Sequence, residues 1–439
     1  MMKTRVTVGL VGFGTVGTGV AKVLLRNAEV IARRVGIPVD LVRIVDLDVT
    51  TDRGMSLPDG LLTSDLNSVL NDPSIDMIIE LIGGYDAAKR LILDAMAKGK
   101  HVVTANKALL AVHGEDVFEA ASRAGVDLGF EASVGGGIPI IRSLTEGLAA
   151  NNLSSIVGIM NGTSNYILTR MTQEKQEFRE ALAQAQVAGY AEADPTFDVE
   201  GVDSAHKLAI LVNLAYGTPV NFKEVYTEGI TTLTPLDINY ALEFGMTVKL
   251  LGIAKFRDGE VEARVHPTMI SQTSTLARVD GVYNAIHLVG DVVGDIVLYG
   301  QGAGSLPTAS AVVSDVIAIA RNLNKKAPGR VPPTSFQPDR RIPLRIRPID
   351  ELTSRYYLRF MVPDRPGVLS QISGVLGSHE ISIASVLQRE RQKDQTVPVF
   401  IMTHRASERS IQTALRDINR MASIISEPTT LVRVEDEEM

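Results

Sequence analysis

Three glycines in a fixed spacing follow the first apolar run of the chain. Gly12, Gly14 and Gly17 stand directly after Val6–Val11, and a helical pattern of apolar residues begins behind them. In this setting the first glycine permits a tight turn, the second lets the backbone approach a pyrophosphate, and the third lets the helix pack closely on the strand. The helix amino terminus attracts the phosphate charge. The pattern predicts a dinucleotide-binding βαβ unit, although an ordinary glycine turn can carry the same spacing.

The first part of the chain alternates short apolar runs with segments of helical spacing. This alternation is typical of right-handed βαβ units around a parallel sheet, so we predict an α/β Rossmann domain over residues 1–150. A later helix, at about 306–325, is expected to pack back on it. Gly99 and Gly125 stand where glycines commonly end helices. The predicted strands are Val6–Val11, Leu41–Val45, Met77–Leu81, His101–Thr104 and Leu128–Glu131, and the predicted helices are Val16–Arg34, Leu61–Asn71, Asp86–Lys98 and Glu115–Ala124.

Residues 151–323 show a different pattern, which predicts an α+β domain; that this domain binds substrate and dimerises is implied only by the family resemblance of its residues. Strand-like segments follow two helical ones, as expected for a mixed sheet. Prolines punctuate residues 324–354, which are predicted to form a solvated, semi-extended and mostly basic linker; anion binding is the alternative. The predicted helices are Gln176–Ala188, Ser204–Tyr216 and Thr308–Leu323, and the predicted strands are Gly252–Phe256, Val261–Pro267 and Val282–Val289.

Residues 355–439 restart the alternation in a new order. The segments read strand, helix, strand, strand, helix, strand, which is the βαββαβ order of a ferredoxin-like fold. The acidic residues Glu435–Glu438 are predicted to be a frayed tail. The six segments are Tyr356–Val362, Gly367–His379, Ile381–Gln388, Thr396–His404, Glu408–Met421 and Thr430–Val434.

The composition excludes several classes of protein. The chain has no cysteine, which removes disulfides, thiolate metal sites and thiol nucleophiles, and with them the thioester-forming semialdehyde dehydrogenases. A net charge of −7, no tryptophan and 5% aromatic residues argue against nucleic-acid binding. The sequence has no apolar stretch of membrane-spanning length and no recognisable signal peptide. We therefore expect a cytoplasmic protein with no nucleic-acid or membrane partner.

The residue at the end of the second predicted strand bears on the choice of cofactor. Asp46 occupies this position, where a carboxylate usually binds the ribose hydroxyls and repels a 2′-phosphate. This favours NAD. However, Asp46 lies further from Gly17 than is typical, and Arg43 and Arg53 are close enough in sequence to bind a 2′-phosphate. The choice between NAD and NADP therefore stays open.

Two segments carry candidate catalytic lysines. Lys107 follows the fourth predicted strand, at the edge where open parallel sheets bind ligands. Lys207 ends a run rich in carboxylates, in which Asp203 lies one helical turn before it. A capping aspartate and an ordinary ion pair would give the same spacing. Carbonyl reduction, however, needs a proton donor such as a partly desolvated lysine, and Glu192 and Asp203 could hold a substrate ammonium. The neighbouring His206 faces another side of the helix and is interpreted as structural.

The segment Ala185–Lys207 resembles the signature of the homoserine dehydrogenase family at every fixed position. Gly12–Gly17, Thr104–Lys107 and Glu131–Pro139 resemble that family as well, so the similarity covers about residues 1–325. The resemblance implies reversible, NAD(P)H-dependent reduction of L-aspartate 4-semialdehyde to L-homoserine, in the biosynthesis of threonine, methionine and isoleucine.

The resemblance also implies the roles of individual residues. Lys207 would be the proton donor, Lys107 would contact cofactor and substrate, and Glu192 and Asp203 would bind homoserine. It further implies a homodimer or homotetramer, and a structural monovalent cation, usually sodium, at Glu131, Val134, Gly136 and Ile138. Around NAD(P), the resemblance implies Phe13, Thr15, Val16, Lys107, Gly189 and Gly304, in addition to Gly12, Gly14, Gly17 and Asp46, which the glycine motif and the end of the second strand indicate.

The C-terminal part carries a second resemblance. The stretch Asp364–Leu369 resembles the start of an ACT domain, over about residues 355–434. This implies an amino-acid effector, L-threonine, that inhibits by feedback; a role in dimerisation alone is the alternative. We expect deletion of residues 350–439 to leave catalysis and abolish threonine sensitivity. A non-enzymatic sensor of cofactor and amino acid is the competing function, but it would not need Glu192, Asp203 and Lys207, and no basic helix-turn-helix is visible.

Overall fold

The computed structural model describes residues 3–388, 396–421 and 423–436. Backbone contacts divide the chain into two compact units. The first unit comprises Met1–Gly162, Ala205–Lys223 and Tyr283–Leu344, and the second comprises Thr163–Ser204, Glu224–Val282 and Arg345–Met439. Among the described residues, no helix combines the length and the apolar character that crossing a membrane requires.

The described residues form strands and helices along the whole chain. The strands are β1 (Val6–Val11), β2 (Val39–Val45), β3 (Leu62–Thr63), β4 (Met77–Glu80), β5 (His101–Thr104), β6 (Leu128–Gly129), β7 (Leu153–Ile159), β8 (Tyr226–Thr227), β9 (Met246–Arg257), β10 (Glu260–Ser271), β11 (Tyr283–Gly290), β12 (Gly294–Gln301), β13 (Ile346–Arg347), β14 (Thr353–Pro363), β15 (Ile383–Leu387), β16 (Thr396–Thr403), β17 (Ala406–Ser407) and β18 (Thr430–Val434). The α-helices are α1 (Thr15–Arg26), α2 (Ala28–Val35), α3 (Asn67–Leu70), α4 (Asp86–Ala97), α5 (Lys107–Ala124), α6 (Ile140–Arg142), α7 (Gly162–Glu174), α8 (Phe178–Val187), α9 (Thr196–Val199), α10 (Val202–Tyr216), α11 (Pro235–Glu243), α12 (Ser305–Lys325), α13 (Val368–Ser378) and α14 (Glu408–Asn419).

A six-stranded parallel sheet organises the first unit. Its strand order is β3-β2-β1-β4-β5-β6, and every neighbouring pair is parallel. This is the order of a doubly wound dinucleotide-binding fold, so the predicted Rossmann fold is confirmed. The buried face of α12 contributes Val312, Val316 and Ile319 to the same core as Val6 and Leu10.

Several predicted boundaries in this unit are wrong. The segment Leu61–Asn71, predicted as a helix, forms β3 and the short α3, because a polar turn at Asp65 separates them: the Asp65 carboxylate accepts the N–H of Asn67 at 2.9 Å. The predicted helix Val16–Arg34 is two helices that meet at Asn27. The helix predicted from Glu115 begins eight residues earlier, at Lys107.

The first unit also contains a three-stranded antiparallel sheet. Its order is β12-β11-β7, and only β11 was predicted. Along β12 the side chains alternate between partly buried and exposed, so this strand presents one face to solvent. The proline-rich residues up to Leu344 belong to this unit and are anchored in it: Arg341 forms an ion pair with Glu115 at 2.7 Å, and the Leu344 N–H donates to the Thr218 hydroxyl at 2.9 Å.

The second unit is built on a long hairpin, β9 and β10, which pairs over twelve residue positions. On its other side β10 pairs with β18, in parallel, and the sheet continues through β14, β16 and β15. β14, α13, β15, β16, α14 and β18 follow the βαββαβ order, so the predicted ferredoxin-like fold is confirmed. We call residues 353–436 the C-terminal module.

Two predicted flexible segments are ordered by ion pairs. Arg345 and Arg347, in the predicted solvated linker, contact Glu260 at 2.8 and 3.1 Å, because β13 pairs with β10. Glu435, in the predicted frayed tail, pairs with Lys255 and Arg264. Burial alone would raise the pKa of Glu435, but these two cations keep it below its ordinary value. Asp436 is paired as well, and residues 437 and 438 lie outside the described residues.

The pairing of β10 with β18 changes the expected effect of a C-terminal truncation. Removing residues 350–439 exposes the edge of β10 at Thr268 and Met269 and leaves Arg264 and Lys255 without Glu435. We therefore predict that the truncated chain unfolds more than about 5 °C below the full chain. Differential scanning calorimetry checks this, and a chain that ends at residue 436 is the control. A truncated chain that unfolds at the temperature of this control would contradict the prediction.

Candidate active site

The glycine-rich turn has the geometry that its sequence predicted. Gly12 has a φ of 99°, a conformation that strongly favours glycine, and a Cβ there would overlap the backbone of Leu81. A Cβ on Gly17 would overlap the carbonyl oxygen of Gly12. Gly14, in contrast, has open space around its Cα. The turn is therefore tight on the protein side and open on the side where a ligand can approach.

Two helix amino termini meet at this turn. Gly14 precedes α1 and Gly304 precedes α12. The Ser305 hydroxyl donates a hydrogen bond to the Thr15 carbonyl at 2.7 Å, which ties the first turns of the two helices together. Because each helix presents a partial positive charge and unpaired N–H groups at this end, the location suits an anionic group.

Asp46 and Arg53 lie side by side next to the turn. Asp46 accepts the Phe13 N–H at 2.5 Å with one carboxylate oxygen and the Asp48 N–H at 2.9 Å with the other. The Arg53 guanidinium is 3.6 Å from the Asp46 carboxylate and 5.1 Å from the centre of the Phe13 ring. Arg43 instead donates to the Gly60 carbonyl at 2.5 Å. Of the two arginines considered from the sequence, Arg53 is thus the one beside Asp46.

A buried carboxylate that the sequence analysis missed organises the edge near Lys107. Glu80, the last residue of β4, accepts the N–H groups of Ile82 and Gly83 at 2.9 and 3.2 Å, and the Thr104 hydroxyl at 2.6 Å. Burial raises the pKa of Glu80, in opposition to these hydrogen bonds. Its only sequence signal is a carboxylate ending a strand that is otherwise apolar.

Thr104 passes this constraint on to the start of α5. Its hydroxyl accepts the Asn106 N–H at 3.0 Å, and the Asn106 side chain caps α5 by accepting the Leu109 N–H at 3.0 Å. Asn106 also donates to the Gly84 carbonyl at 2.7 Å. Glu80 thereby sets the backbone that carries Lys107, the first residue of α5.

Lys207 lies in the buried part of α10. The residue is 7% exposed, and its Nζ donates a hydrogen bond to the Met160 carbonyl at 2.6 Å. Met160 directly follows β7, so the end of this strand orients the amine. His206, which was predicted to be structural, is buried and packs edge-on against Phe222 at 4.6 Å between ring centres.

The second unit carries the acidic segment that precedes Lys207. Asp203 is 3% exposed and lies in the first turn of α10, one turn before Lys207 as its spacing predicted. Glu192 is exposed on the loop between α8 and α9, and Gly189 ends α8. The start of α7 anchors this loop: the Thr163 hydroxyl donates to the Tyr190 carbonyl at 2.6 Å.

Glu131 occupies the predicted cation site as a buried carboxylate. Its two oxygens accept the N–H groups of Ile141 and Arg142 at 2.8 and 2.9 Å, and burial raises its pKa. Each oxygen keeps a further lone pair. The glycine-rich loop that follows packs so tightly against Gly302 that a Cβ on Gly136 would overlap it. A carboxylate with backbone carbonyls is an all-oxygen donor set, which fits a hard monovalent cation.

Comparisons with known proteins agree over nearly the whole chain. The family models "Homoserine dehydrogenase, NAD binding domain", "Homoserine dehydrogenase" and "ACT domain" match residues 12–131, 139–317 and 356–422. The chain is 46% identical to a homoserine dehydrogenase of Pseudomonas aeruginosa, over 98% of this chain and 99% of that protein. A crystal structure of a homoserine dehydrogenase from Thiobacillus denitrificans has a TM-score of 0.92 and 45% identity, over 98% of both chains. A hyperthermophilic archaeal homoserine dehydrogenase in complex with NADPH has a TM-score of 0.62 and 26% identity, over 74% of this chain and 99% of that one.

The doubly wound sheet, the glycine-rich turn and these matches together define an NAD(P)-dependent oxidoreductase. Within that class, the chain belongs to the homoserine dehydrogenase family and carries a C-terminal ACT domain. The family recognised from Ala185–Lys207 is thus confirmed.

The Glu80 cluster generates a prediction about cofactor binding. Glu80→Gln keeps the side-chain shape but removes the charge that strengthens the hydrogen bonds from Ile82, Gly83 and Thr104. We expect the KM for the nicotinamide cofactor to rise about three- to tenfold. The reason is that the free energies of a charged and a neutral hydrogen bond differ by about one to two RT. Steady-state kinetics at saturating homoserine measure this, and a KM within twofold of the unsubstituted enzyme would contradict it.

The raised pKa of Glu80 adds a dependence on pH to the same variant. A carboxyl whose pKa is raised on folding contributes stability below its unfolded pKa and loses it as pH rises through the folded pKa. The stability difference between unsubstituted enzyme and Glu80→Gln should therefore shrink between about pH 5 and about pH 8. Thermal unfolding of both proteins at the two pH values measures this stability difference. A difference that grows with pH would contradict the raised pKa of Glu80.

Proposed function

We propose that the protein catalyses the reversible reduction of L-aspartate 4-semialdehyde to L-homoserine. The observation that carries the proposal is the position of a buried lysine, Lys207, and a buried carboxylate, Asp203, one helical turn apart on α10. The family match supports the reaction. The product would feed the synthesis of threonine, methionine and isoleucine.

Each residue of the proposed site has a distinct task. A bound nicotinamide cofactor supplies the hydride for the carbonyl carbon. Lys207 Nζ donates a proton to the carbonyl oxygen as negative charge develops there, and in the reverse direction it accepts the hydroxyl proton. Asp203 and Glu192 bind the substrate ammonium. Lys107 contacts cofactor and substrate from the amino terminus of α5.

The residues around the glycine-rich turn would hold the cofactor. Its pyrophosphate would lie at the paired amino termini of α1 and α12. The residues proposed to line the cofactor are Gly12, Phe13, Gly14, Thr15, Val16, Gly17, Gly189 and Gly304. We propose that both NADH and NADPH are accepted. Asp46 would face the ribose hydroxyls, and Arg53 would contact a 2′-phosphate. The NADPH complex of the archaeal relative supports this for NADPH.

Three further features complete the proposal. A sodium ion would be held by the Glu131 carboxylate and by backbone carbonyls of Val134, Gly136 and Ile138, where it would stiffen the loop that approaches Gly302. A homodimer would form along β12, whose outer edge and exposed side chains, among them Tyr299, suit pairing with a second copy. The ACT domain would bind L-threonine as a feedback inhibitor.

The first experiment is the initial rate of NADH and NADPH oxidation with L-aspartate 4-semialdehyde. We expect turnover, and we expect Lys207→Ala to lower kcat by about 10²- to 10⁴-fold, the range for loss of a general acid. Cofactor affinity, measured by fluorescence titration, should change less than twofold, because the proton is needed only as charge develops. Lys223→Ala, at an exposed lysine, is the control. No turnover in a folded, cofactor-binding sample would overturn the proposed reaction.

The position of Arg53 predicts a selective effect on NADPH. Arg53→Ala should raise the KM for NADPH about ten- to a hundredfold, which is the worth of a hydrogen bond to a charged group, and leave the KM for NADH within about twofold. Arg43→Ala is the matched control, since Arg43 contacts Gly60 instead. Equal effects of the two variants, or an equal effect on both cofactors, would remove Arg53 from the 2′ position.

A further inference from the structure

One buried arginine connects the C-terminal module to the rest of the second unit. Arg433, on β18, is 2% exposed. Two of its nitrogens donate to Glu408 of α14 at 2.9 and 2.6 Å, and a third donates to Glu228 at 2.7 Å. Its guanidinium also lies 5.0 Å from the ring centre of Tyr226 on β8. A single side chain therefore joins the core of the module to the residues that follow β8.

The residues after β8 lie directly against the segment before α10. The Ile230 N–H donates to the Val199 carbonyl at 2.8 Å. Gly229 packs so closely on the same carbonyl that a Cβ there would overlap it. A Cβ on Gly201 would lie 3.3 Å from the Glu228 carbonyl oxygen. Backbone touches backbone along this stretch, so a displacement of one segment would push against the other.

This segment leads straight into the proposed substrate carboxylate. Gly201 is followed by α10, in whose first turn Asp203 lies buried. A displacement of Glu228 is transmitted through Gly229 and Ile230 to Val199 and Gly201, and from there to Asp203. Within the part of the chain that the structure describes, Arg433 provides the hydrogen bond from the C-terminal module to Glu228.

We propose that Arg433 is a positioning residue for the substrate: by holding Glu228 it fixes the segment 199–201 and, through it, the Asp203 carboxylate that binds homoserine. The inference rests on the proposed role of Asp203. It gives the ACT domain a part in substrate affinity through a contact of its own core strand, β18.

The chain offers a matched control for a purely structural role. Arg359, on β14 of the same module, is also buried and forms an ion pair with the buried Asp237 at 2.7 Å. Asp237 belongs to the capping box of α11, and among the described residues its carboxylate accepts hydrogen bonds from Thr234, Tyr357 and Arg359. Because removal of one partner of either pair leaves a buried charge uncompensated, both losses should lower stability by similar amounts.

The test compares Arg433→Met with Arg359→Met in the full-length protein. We expect Arg433→Met to raise the KM for homoserine at least tenfold, with the KM for the cofactor within twofold and kcat reduced less than the KM rises. Arg359→Met should leave the homoserine KM within twofold while it lowers the unfolding temperature comparably. Arg433→Lys keeps the positive charge but loses the planar guanidinium that donates two parallel hydrogen bonds. Its KM for homoserine should therefore lie between the values of Arg433→Met and Arg359→Met.

Hydrogen exchange gives a readout independent of turnover. Backbone amides of residues 199–203 should exchange faster in Arg433→Met than in Arg359→Met. If Arg433→Met does not fold, Glu228→Gln, which keeps the side-chain shape, should raise the homoserine KM in its place. The inference is overturned if the homoserine KM and the exchange of residues 199–203 are the same in the two arginine variants, or if Glu228→Gln has no effect on KM.

The role of Asp203 is tested separately by Asp203→Asn. If this variant leaves the homoserine KM unchanged, the proposed function of Asp203 fails, whatever the arginine variants show. A shifted KM in Arg433→Met would then still establish that the module controls substrate affinity, through a different residue of the segment.

Discussion

The second unit depends on the hydrogen bonding of one strand, β10. It pairs antiparallel with β9 and parallel with β8, β13 and β18. Since a slip of one residue would turn every side chain to the other face, the register of β18 decides which face Arg433 occupies. The buried charges of Arg264, Arg433 and Glu408 all find partners in this register. Burial and the two arginines lower the pKa of the neighbouring His266 well below its ordinary value, so its ring stays neutral and accepts a hydrogen bond from Arg264.

The first unit depends on a different constraint. The edge of its sheet has to stay open for a charged ligand while the backbone at that edge is held in place. Gly12 brings the turn after β1 onto Leu81, and Glu80 ties the turn after β4 to Thr104 at the end of β5. A carboxylate can do this because it accepts several hydrogen bonds at once. These contacts restrict the backbone at the edge, and a restricted backbone lowers the ordering cost of binding.

Local signals explain which features could be predicted from the sequence. The glycine spacing, the apolar runs of β1, β4 and β5, and the run Ala185–Lys207 are all contained in short stretches, and these predictions agree with the structure. β7 and β12 were missed because glycine, serine and aspartate interrupt their apolar pattern. α11 was missed although its capping box, Thr234 with Asp237, is a readable start signal.

Features that depend on distant partners could not be predicted in this way. Glu80 bonds to Thr104, which lies 24 residues away in the sequence, and Arg433 bonds to Glu228, which lies 205 residues away. Neither partner can be read from the residues nearby. The linker and the acidic tail look solvated by composition, yet Arg345 and Glu435 meet opposite charges on β9 and β10. Individual roles at the proposed site come from the family signature rather than from spacing, which by itself left a capped helix as an equal explanation.

The position of α12 in the first core has a consequence for how the chain is made. Val312, Val316 and Ile319 pack in the same core as Val6 and Leu10, so the nucleotide-binding sheet is not covered when its last strand, β6, has been synthesised. At about 5–20 residues per second, the ribosome needs roughly 10–40 s more to deliver this helix. During that interval an apolar groove along α1 and β1 is open in the nascent chain. The core of this unit is thus completed late in translation.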